Sequence, residues 1–425
     1  MNKKGKFPWP IITLAIVAVV VLLLIIARQF PGTFNFPAGS GSDNEPIVAE
    51  DDVKIDGKIN VNNGQLIDSP SPTPSQFTYD SGVDIAYPED GVKGIYLSGG
   101  GAADPEVVKH NVDMIDQTGL NSVVVDVKDD YGSITMPVKT DNDLIKDNET
   151  NAVDINQLMK TFEEKQIYPI ARITTFKDTK LAKAHPERSF RTSSGDVWTN
   201  DIGDAFLNPY DKENWKYMVE VAKGAAKLGF KDIQFDYVRF PEAFETFGED
   251  LEYDMGDYSE YGKGSTEARE KTITDFLAYA QKELHPYGVE VSADIFGYVT
   301  VVESTPGIGQ NFRGIADNVD VISSMIYPSH WGPGYFDYPA PDKEPYGVVD
   351  HYAQKELALL DDIDSKTKTR PWLQDFTASY LGGGMYMEYD ANAVQAQIDA
   401  LADHGINEYL LWNAGNEYTT GVDYK

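Results

Sequence analysis

Residues 232–241 read Asp-Ile-Gln-Phe-Asp-Tyr-Val-Arg-Phe-Pro. Apolar and polar residues alternate in this stretch, as they do in a β-strand that packs one face on a core. The acid Asp236 lies near the end of the predicted strand, before Pro241 interrupts the pattern. A second stretch, residues 290–297, reads Glu-Val-Ser-Ala-Asp-Ile-Phe-Gly and carries Asp294 at the same depth. We therefore predict two neighbouring strands that direct an acid into one shared opening.

From Val92 onward, strand-like segments alternate with helix-like segments. The predicted strands are Val92 to Ser98, Ser122 to Asp129, Tyr168 to Thr174, Asp232 to Phe240, Glu290 to Gly297, Asp320 to Pro328, Arg370 to Phe376 and Glu408 to Asn413. Helix signals lie between them: Asp104 is followed by Pro105, an N-cap residue and a proline at the first helical position, and Asp390 opens another helix that Gly405 ends. This alternation predicts an α/β protein with parallel strands.

Eight parallel strands joined by crossover helices most often close into a (β/α)₈ TIM barrel, whose reactive face lies at the carboxyl ends of the strands. An open, doubly wound sheet is the alternative. No Gly-x-Gly-x-x-Gly sequence follows any predicted strand, so a dinucleotide site has no support. We predict the barrel for residues 88–425.

The N-terminal residues indicate a membrane anchor followed by a linker. Lys3, Lys4 and Lys6 precede an apolar run over residues 10–27, which is long enough to cross a bilayer as a helix with its N-terminus in the cytoplasm. A cleaved signal peptide is the alternative, although no Ala-x-Ala site follows at once. We therefore assign residues 1–28 to a cytoplasmic tip and transmembrane anchor, so that the protein is a single-pass protein of the cell membrane with its barrel outside the cytoplasm.

Residues 29–87 are rich in Pro, Gly, Ser and Asp, and this composition is typical of a disordered stalk. Residues 53–67 within it have the composition of either a small hairpin or a segment packed on the main domain. The sequence leaves this choice open.

Charge and residue usage exclude several classes of ligand. The formal net charge is −32, and Lys or Arg clusters only at the extreme N-terminus, so we expect no nucleic-acid partner. The chain has no Cys and 6 His, and the His residues lack metal-site spacing. We therefore expect neither a metal nor another cofactor.

The two strand-end acids fit the chemistry of glycosidic bond cleavage. In the fourth strand we place Ile233, Phe235 and Tyr237 on the helix side, which turns Asp236 toward the barrel axis. The same alternation turns Asp294 inward in the fifth strand. Because adjacent strands lie about 4.8 Å apart, two acids at one level approach the roughly 5 Å separation of a retaining glycosidase. The plainer alternative is that each Asp pairs with a buried arginine or caps a helix.

Other polar and aromatic residues near the strand ends are candidates for binding substrate. The predicted set is Asp126, Lys128, Arg172, Arg239, Tyr327, Trp331, Gln374, Asp375, Trp412 and Asn413. Lys128 and Arg172 would favour the ionised form of Asp236, whereas Asp294 needs a raised pKa to donate a proton. Charge balance inside the barrel is the alternative role for both bases. The inward register of the last two strands stays open between Gln374 and Asp375, and between Trp412 and Asn413.

Two loops contain many aromatic residues, at 241–264 and 328–347. Aromatic rings at an acidic opening suit sugar rings, which stack their C–H faces on them, although these rings also fit clusters internal to each loop. Three arginines near the predicted opening, Arg188, Arg191 and Arg239, indicate a ligand with a carboxylate or phosphate.

The stretch Phe235 to Pro241, together with His185-Pro186-Glu187 and Leu207-Asn208-Pro209, resembles bacterial glycosyl-hydrolase-like barrel domains, which are similar in turn to the α-amylase superfamily. The resemblance covers about residues 91–418. It implies a carbohydrate-active (β/α)₈ fold in which Asp236 is the nucleophile.

In α-amylase-like enzymes the proton donor on the fifth strand is usually Glu, whereas this chain has Asp294, which is one methylene shorter. Glu242 and Glu303 are alternative donors. The sequence thus predicts a retaining glycoside hydrolase that acts on extracellular or cell-envelope polysaccharide. The alternative is a catalytically inactive barrel that binds glycans at the cell surface.

Overall fold

A computed structural model describes residues 78–302 and 304–424, and eight of the strands in these residues run parallel around a closed barrel. The strands are β1 (Lys93–Leu97), β2 (Ser122–Lys128), β3 (Tyr168–Thr174), β4 (Asp232–Asp236), β5 (Glu290–Phe296), β6 (Val321–Met325), β7 (Trp372–Gln374) and β8 (Tyr409–Trp412). Strand β8 pairs with β1, and Met325 of β6 pairs with Trp372 of β7, so the sheet closes. The predicted (β/α)₈ barrel is confirmed, and each predicted strand contains one observed strand.

Seven helices cover the outside of the barrel in the described residues. They are α1 (Pro105–Gln117), α2 (Ile155–Lys165), α3 (Lys212–Leu228), α4 (Thr266–Leu284), α5 (Phe312–Ala316), α6 (Pro345–Asp362) and α7 (Ala391–Asp403). Each of these helices follows the strand of the same number. The N-caps are observed as predicted, because the side chain of Asp104 accepts from the N–H of Glu106, and that of Asp390 accepts from Asn392 and Ala393.

Short elements lie in the connections between strands and helices. The short helices are Gly99–Ala102, Asp143–Asn148, Thr179–Ala184, Phe244–Phe247 and Val299–Val302. The two-residue strands Ser304–Thr305 and Gln310–Asn311 pair antiparallel, and Lys368–Thr369 pairs with β6 before β7 begins. These connections place most of the non-repetitive chain at the carboxyl ends of the strands.

Strand alternation sorts the side chains between two apolar clusters. Val123, Val125 and Val127 of β2 lie in the large core between the sheet and the helices. Val124 belongs instead to a smaller cluster inside the barrel, which includes Trp372. Because this inner cluster fills the lower barrel, the polar interior positions nearer the strand ends are left to form a site.

The predicted alternation of the fourth strand fails at its last position. Ile233 and Phe235 are buried in the outer core as expected. The strand ends at Asp236, and Tyr237 takes a left-handed backbone conformation with φ 48°. Its ring is only partly buried against the outer core and also lines a cavity at the strand ends, whereas Val238 is fully buried in that core.

The segment before β1 contacts the barrel. The backbone N–H of Tyr79 donates to the carbonyl of Pro286 at 2.9 Å, and Lys231 Nζ donates to the carbonyl of Val83 at 2.7 Å. Residues 78–87, which the sequence assigns to the linker, are thus in contact with the folded domain. The rest of the linker, including residues 53–67, lies outside the described residues.

The anchor predicted over residues 10–27 also lies outside the described residues. Within the part of the chain that the structure describes, no helix combines the length and the apolar composition required to cross a bilayer.

Candidate active site

A cavity of about 340 Å³ opens at the carboxyl ends of the strands. One part of its lining is charged: Asp130, Arg172, Asp236, Arg239, Glu242 and Asp294. The other part is aromatic or apolar: Tyr237, Phe296, Met325, Tyr327, His330, Trp372, Phe376 and Trp412. Apolar walls with a few converging polar groups are typical of sites for small ligands.

Asp236 is nearly buried at the end of β4, and donors contact both of its oxygens. Arg172 places Nε at 2.9 Å and Nη2 at 2.6 Å from Oδ2. The backbone N–H of Tyr237 lies 2.6 Å from Oδ1, a contact made by the left-handed turn at that residue. Such charge-assisted hydrogen bonds stabilise an ionised carboxylate and fix its orientation.

Arg172 itself is buried and is the centre of a cluster of three carboxylates. Besides Asp236, it donates to Asp126 Oδ1 at 2.7 Å and to Asp130 Oδ1 at 2.9 Å. The hydroxyl of Tyr96 donates to the other oxygen of Asp126 at 2.6 Å. Because each group holds the next, the guanidinium is fixed beneath the cavity.

The pKa values of two acids in this cluster shift in opposite directions. Burial raises the pKa of Asp126, and Arg172 only partly offsets this effect. Burial also opposes ionisation of Asp130, but Arg172, with help from Lys177 and Thr174, outweighs it and lowers the pKa of Asp130 to about 2. Asp130 is therefore a permanent anion at the edge of the cavity, where 47% of its side chain is exposed.

Asp294 is buried on β5, beside Asp236. Phe235 of β4 pairs with Ala293 of β5, so the two acids follow at the next position of neighbouring strands. Trp372 Nε1 donates to Asp294 Oδ1 at 2.8 Å. Burial raises the pKa of Asp294 well above its usual value, and the negative charge of Asp236 raises it further, against the opposing effect of Trp372. These effects favour the protonated form of Asp294.

The two acids lie in unlike surroundings. Asp236 has strong donors on both oxygens, whereas Asp294 has a single indole donor in a buried environment. Unlike environments set two carboxyl groups to different protonation states, one as acid and one as anion. Both acids line the same cavity, and their catalytic pairing stays a prediction.

The aromatic wall is built from stacked rings. Trp412 lies parallel to Tyr96 with ring centroids 4.2 Å apart, and it meets Trp372 edge to face at 5.6 Å. Tyr327 contacts Phe376 at 5.8 Å and His330 at 4.8 Å, in both cases edge to face. Since the rings support one another, they form a rigid apolar surface beside the acids.

The structure brings part of the predicted substrate-binding set into the cavity. Arg172, Arg239, Tyr327 and Trp412 line it. Asp126 lies behind Arg172. For β8 the open choice of register is decided in favour of Trp412, because Asn413 turns away and donates to the carbonyl of Asp375.

Besides Asp126, five predicted residues do not line the cavity: Lys128, Trp331, Gln374, Asp375 and Asn413. Lys128 is fully buried and pairs with Asp178 at 3.0 Å, because β2 shifts its register to β3 between Asp126 and Lys128. Its amine also donates to the carbonyl of Thr174 at 2.7 Å, so its contacts among the described residues are with these two groups and not with Asp236. Trp331 packs against Phe336 within its own loop.

The remaining two residues stabilise loops. Gln374 donates to Asp342 at 2.9 Å and accepts from the N–H of Ser329 at 3.0 Å. Asp375 accepts from Thr419 in the C-terminal segment. Both contacts reach loops around the opening, so these side chains are occupied by the protein itself.

Several lining residues were not predicted to bind substrate. Asp130 follows the end of β2, where carboxylates are expected at the reactive face, so its position in the sequence was an available signal. Tyr237 was placed on the helix side because the left-handed turn after Asp236 has no glycine to mark it. Glu242, predicted as an alternative donor, also lines the cavity. The other alternative, Glu303, lies outside the described residues.

Among residues 78–302 and 304–424, no group of three or more His, Asp or Glu side chains is arranged to hold a metal ion.

The sequence of residues 94–418 matches a protein-family model whose description is "Putative glycosyl hydrolase domain". No curated protein matches the chain. Among solved structures, a hypothetical protein from Ruminiclostridium thermocellum ATCC 27405 is 31% identical, and the match covers 47% of this chain and 96% of that one with a TM-score of 0.40.

Two further solved structures share the fold at low identity. The PgaB (BpsB) glycoside hydrolase domain from Bordetella bronchiseptica is 14% identical, and the match covers 76% of this chain and 94% of that one with a TM-score of 0.52. A β-galactosidase from the psychrophilic Marinomonas ef1 is 11% identical, with 76% of this chain and 54% of that one covered and a TM-score of 0.53. These likenesses extend over the barrel.

Proposed function

The chain belongs to the family described as the Putative glycosyl hydrolase domain, and from this premise we propose that it is a retaining glycoside hydrolase acting on extracellular or cell-envelope polysaccharide. In this proposal Asp236 is the nucleophile and Asp294 is the acid/base. The observation that carries it is the pair itself: an anion held by Arg172 beside a buried carboxyl whose pKa is raised.

In the first step, a sugar unit bound in the cavity is attacked at its anomeric carbon by a carboxylate oxygen of Asp236. The bond to the leaving oxygen breaks, and Asp294 gives its proton to that oxygen, so the leaving sugar departs as an alcohol. A covalent glycosyl ester on Asp236 results, and Asp294 is then ionised.

In the second step, Asp294 takes a proton from a water molecule whose oxygen attacks the same anomeric carbon. The ester bond to Asp236 breaks, and both acids return to their starting states. Two inversions give net retention of configuration. Strands β4 and β5 are direct neighbours in the sheet and carry the two acids at adjacent positions. This placement supports the retaining mechanism over an inverting one, because the two carboxyl groups of an inverting enzyme lie about 6.5–9.5 Å apart to admit water.

The aromatic wall supports a carbohydrate substrate. Trp412, Tyr327 and Phe376 line the cavity together with the charged residues, and sugar rings combine apolar faces with polar edges. The extracytoplasmic location of the substrate rests on the N-terminal lysines and apolar run, which predict export of the barrel.

The test is the variant Asp236→Asn, assayed for release of reducing ends from a broad polysaccharide panel. We expect a loss of at least about a thousandfold in kcat because the amide cannot form the ester intermediate. Asp113→Asn, the same change on the partly exposed face of α1, should keep full activity. Proton NMR of the product first released by the unmodified protein should show the same anomeric configuration as the bond that was cleaved.

Two results would contradict the proposal. Undiminished hydrolysis by a folded Asp236→Asn protein removes that residue from the mechanism, and a first product of inverted configuration excludes the covalent step. If the unmodified chain retains glycans on an array but releases no sugar from any of them, the protein is instead a glycan-binding barrel.

A further inference from the structure

The two arginines that line the cavity differ in how many of their donors are used. Arg172 is directed at the three carboxylates described above. Arg239 donates from Nη1 to the carbonyl of Phe240 and from Nη2 to Glu242 Oε1, each at 3.1 Å. Its Nε makes no hydrogen bond to a described residue and is not sealed from solvent. A guanidinium has five N–H donors, so Arg239 keeps spare donors in the cavity.

Aromatic rings hold the Arg239 guanidinium in place. Its carbon Cζ lies 4.9 Å from the ring centre of Tyr237, 5.1 Å from that of Phe296 and 5.7 Å from that of Phe206. These contacts favour the charged group and restrict its rotation. The fork of donors is therefore oriented before any ligand binds, which lowers the entropic cost of binding.

The carboxylate now paired with Arg239 is easily displaced. The side chain of Arg239 is 7% exposed, whereas that of Glu242 is 65% exposed. An ion pair with one partner mostly in water is weak, because the water competes for the carboxylate. A ligand that enters the cavity can replace Glu242 without leaving a buried charge unpaired.

We propose that Arg239 is a specificity residue that binds the carboxylate of an acidic sugar unit, and that Glu242 occupies this position when no substrate is bound. This inference rests on the proposed function and names its substrate class, a glycan containing carboxylated sugars such as uronic acids. A carboxylate fits because its two oxygens match the planar fork of a guanidinium.

The acidic character of the chain does not oppose this assignment at short range. The net charge of −32 is spread over the whole chain, and salt screens it beyond about 8 Å at physiological ionic strength. The nearby anion Asp236 is already paired with Arg172. Direct hydrogen bonds to Arg239 therefore decide the preference of the cavity.

The experiment compares matched ligands at 0.15 M salt, a concentration at which long-range attraction is screened. Oligogalacturonides and alginate oligosaccharides are each paired with their carboxyl-reduced forms, in which the acid has become a primary alcohol. Binding is measured by calorimetry to the full chain carrying Asp236→Asn, which prevents turnover. We expect at least one acidic ligand to bind roughly tenfold or more tightly than its reduced form, as for a charge-assisted contact.

Two variants assign this preference to the proposed contact. Arg239→Gln should abolish the difference between acidic and reduced ligands. Glu242→Gln should tighten binding of the acidic form by about two- to fivefold, because a weak competing pair is removed, and should leave the reduced form unchanged. Glu242 is exposed, so this variant is expected to fold even if Arg239→Gln does not.

Equal binding of acidic and reduced ligands overturns the carboxylate assignment but leaves a glycan-binding cavity. Equal weakening of both forms by Arg239→Gln, or no gain with Glu242→Gln, also overturns it. If no ligand binds and the unmodified chain hydrolyses no polysaccharide, the proposed function fails along with this inference.

Discussion

Asp294 depends on a single side-chain donor, the indole of Trp372. A donor to a carboxylate favours the charged form, so this hydrogen bond lowers the pKa of Asp294 against the larger effect of burial. The protonation of the proposed acid is therefore set by a residue that also lines the cavity.

The variant Trp372→Phe tests this dependence. Removing the donor should raise the pKa of Asp294, so the basic limb of the kcat/KM profile, where the acid loses its proton, should move to higher pH. We expect kcat/KM at the optimum to fall by roughly tenfold, since the carboxylate that forms when Asp294 gives up its proton loses one hydrogen bond. The pH profile of hydrolysis provides the measurement.

Trp412→Phe is the matched control, because its indole lines the same cavity but donates to no described residue. The basic limb of the kcat/KM profile of Trp412→Phe should lie at the same pH as that of the unmodified protein. A limb that is unmoved in Trp372→Phe, or that moves to lower pH, would contradict the assignment of Asp294 as the acid.

At the scale of single residues, sequence alternation predicted the inward position of Asp236 and Asp294 but not their partners. The hydrogen bonds of Arg172 to Asp126 and Asp236 join three strands, and no local pattern records such a contact. The partner of Lys128 was missed for a related reason. A register shift between β2 and β3 moves its amine to Asp178, and register depends on pairing between strands.

Between strand β6 and helix α6, the carboxyl group of Glu356 is fully buried. The hydroxyls of Ser324 and Thr369 donate to it, and no ion pair reaches it in the described residues. Burial raises its pKa to about 7 from the usual 4.5. Above pH 4.5 the unfolded chain releases this proton while the folded chain still retains it, so the folded state loses stability as the pH rises toward 7.

The variant Glu356→Gln, which replaces this acid by an amide, should therefore stabilise the protein at alkaline pH only. The expected gain is up to about 3 kcal/mol at pH 8, from 1.36 kcal/mol per unit of pKa shift, and close to zero at pH 4. Urea unfolding at both pH values gives the two free energies of unfolding.

Glu388→Gln is a suitable comparison, because Glu388 is exposed and its substitution should change stability by no more than about 0.5 kcal/mol at either pH. An equal effect of Glu356→Gln at pH 4 and pH 8, or a loss of stability at pH 8, would show that Glu356 is not the titrating group.

Across the whole barrel, Arg370 connects several strands at the end opposite the cavity. It is fully buried before β7 and donates to Asp232 at 2.6 Å, to Glu408 at 2.8 Å and to Glu290 at 3.2 Å. These acids stand at or next to the first residues of β4, β5 and β8. Arg370 thus pairs with three carboxylates at the amino ends of the strands, and Lys368 also pairs with Glu290 at 2.6 Å. At this end of a barrel such contacts serve stability rather than chemistry.

Arg370→Met should destabilise the protein by about 3–5 kcal/mol, because the acids stay buried without their cation. Turnover by the folded fraction at low temperature should be unchanged, since the cavity lies at the other end. Equilibrium urea unfolding and a polysaccharide assay measure the two effects. The double variant Arg370→Met with Asp232→Asn should recover part of the loss by removing one unpaired charge. A loss below about 1 kcal/mol in the single variant would contradict this account.

The sequence by itself determined the fold class, the number and order of the strands, and the two acids at neighbouring strand ends. It could do so because strand alternation, helix caps and a buried acid at a strand end are local patterns with a period of a few residues. The N-terminal anchor and stalk stay sequence-based predictions for residues outside the described chain.

Only the tertiary structure decided which side chains share the cavity and how they are charged. The left-handed turn at Tyr237, the shift that moves Lys128 away, and the indole on Asp294 each depend on neighbours that are distant in sequence. Electrostatic effects and hydrogen bonds depend on distance in space and on exclusion of water. Both quantities are fixed only when strands pair and the barrel closes.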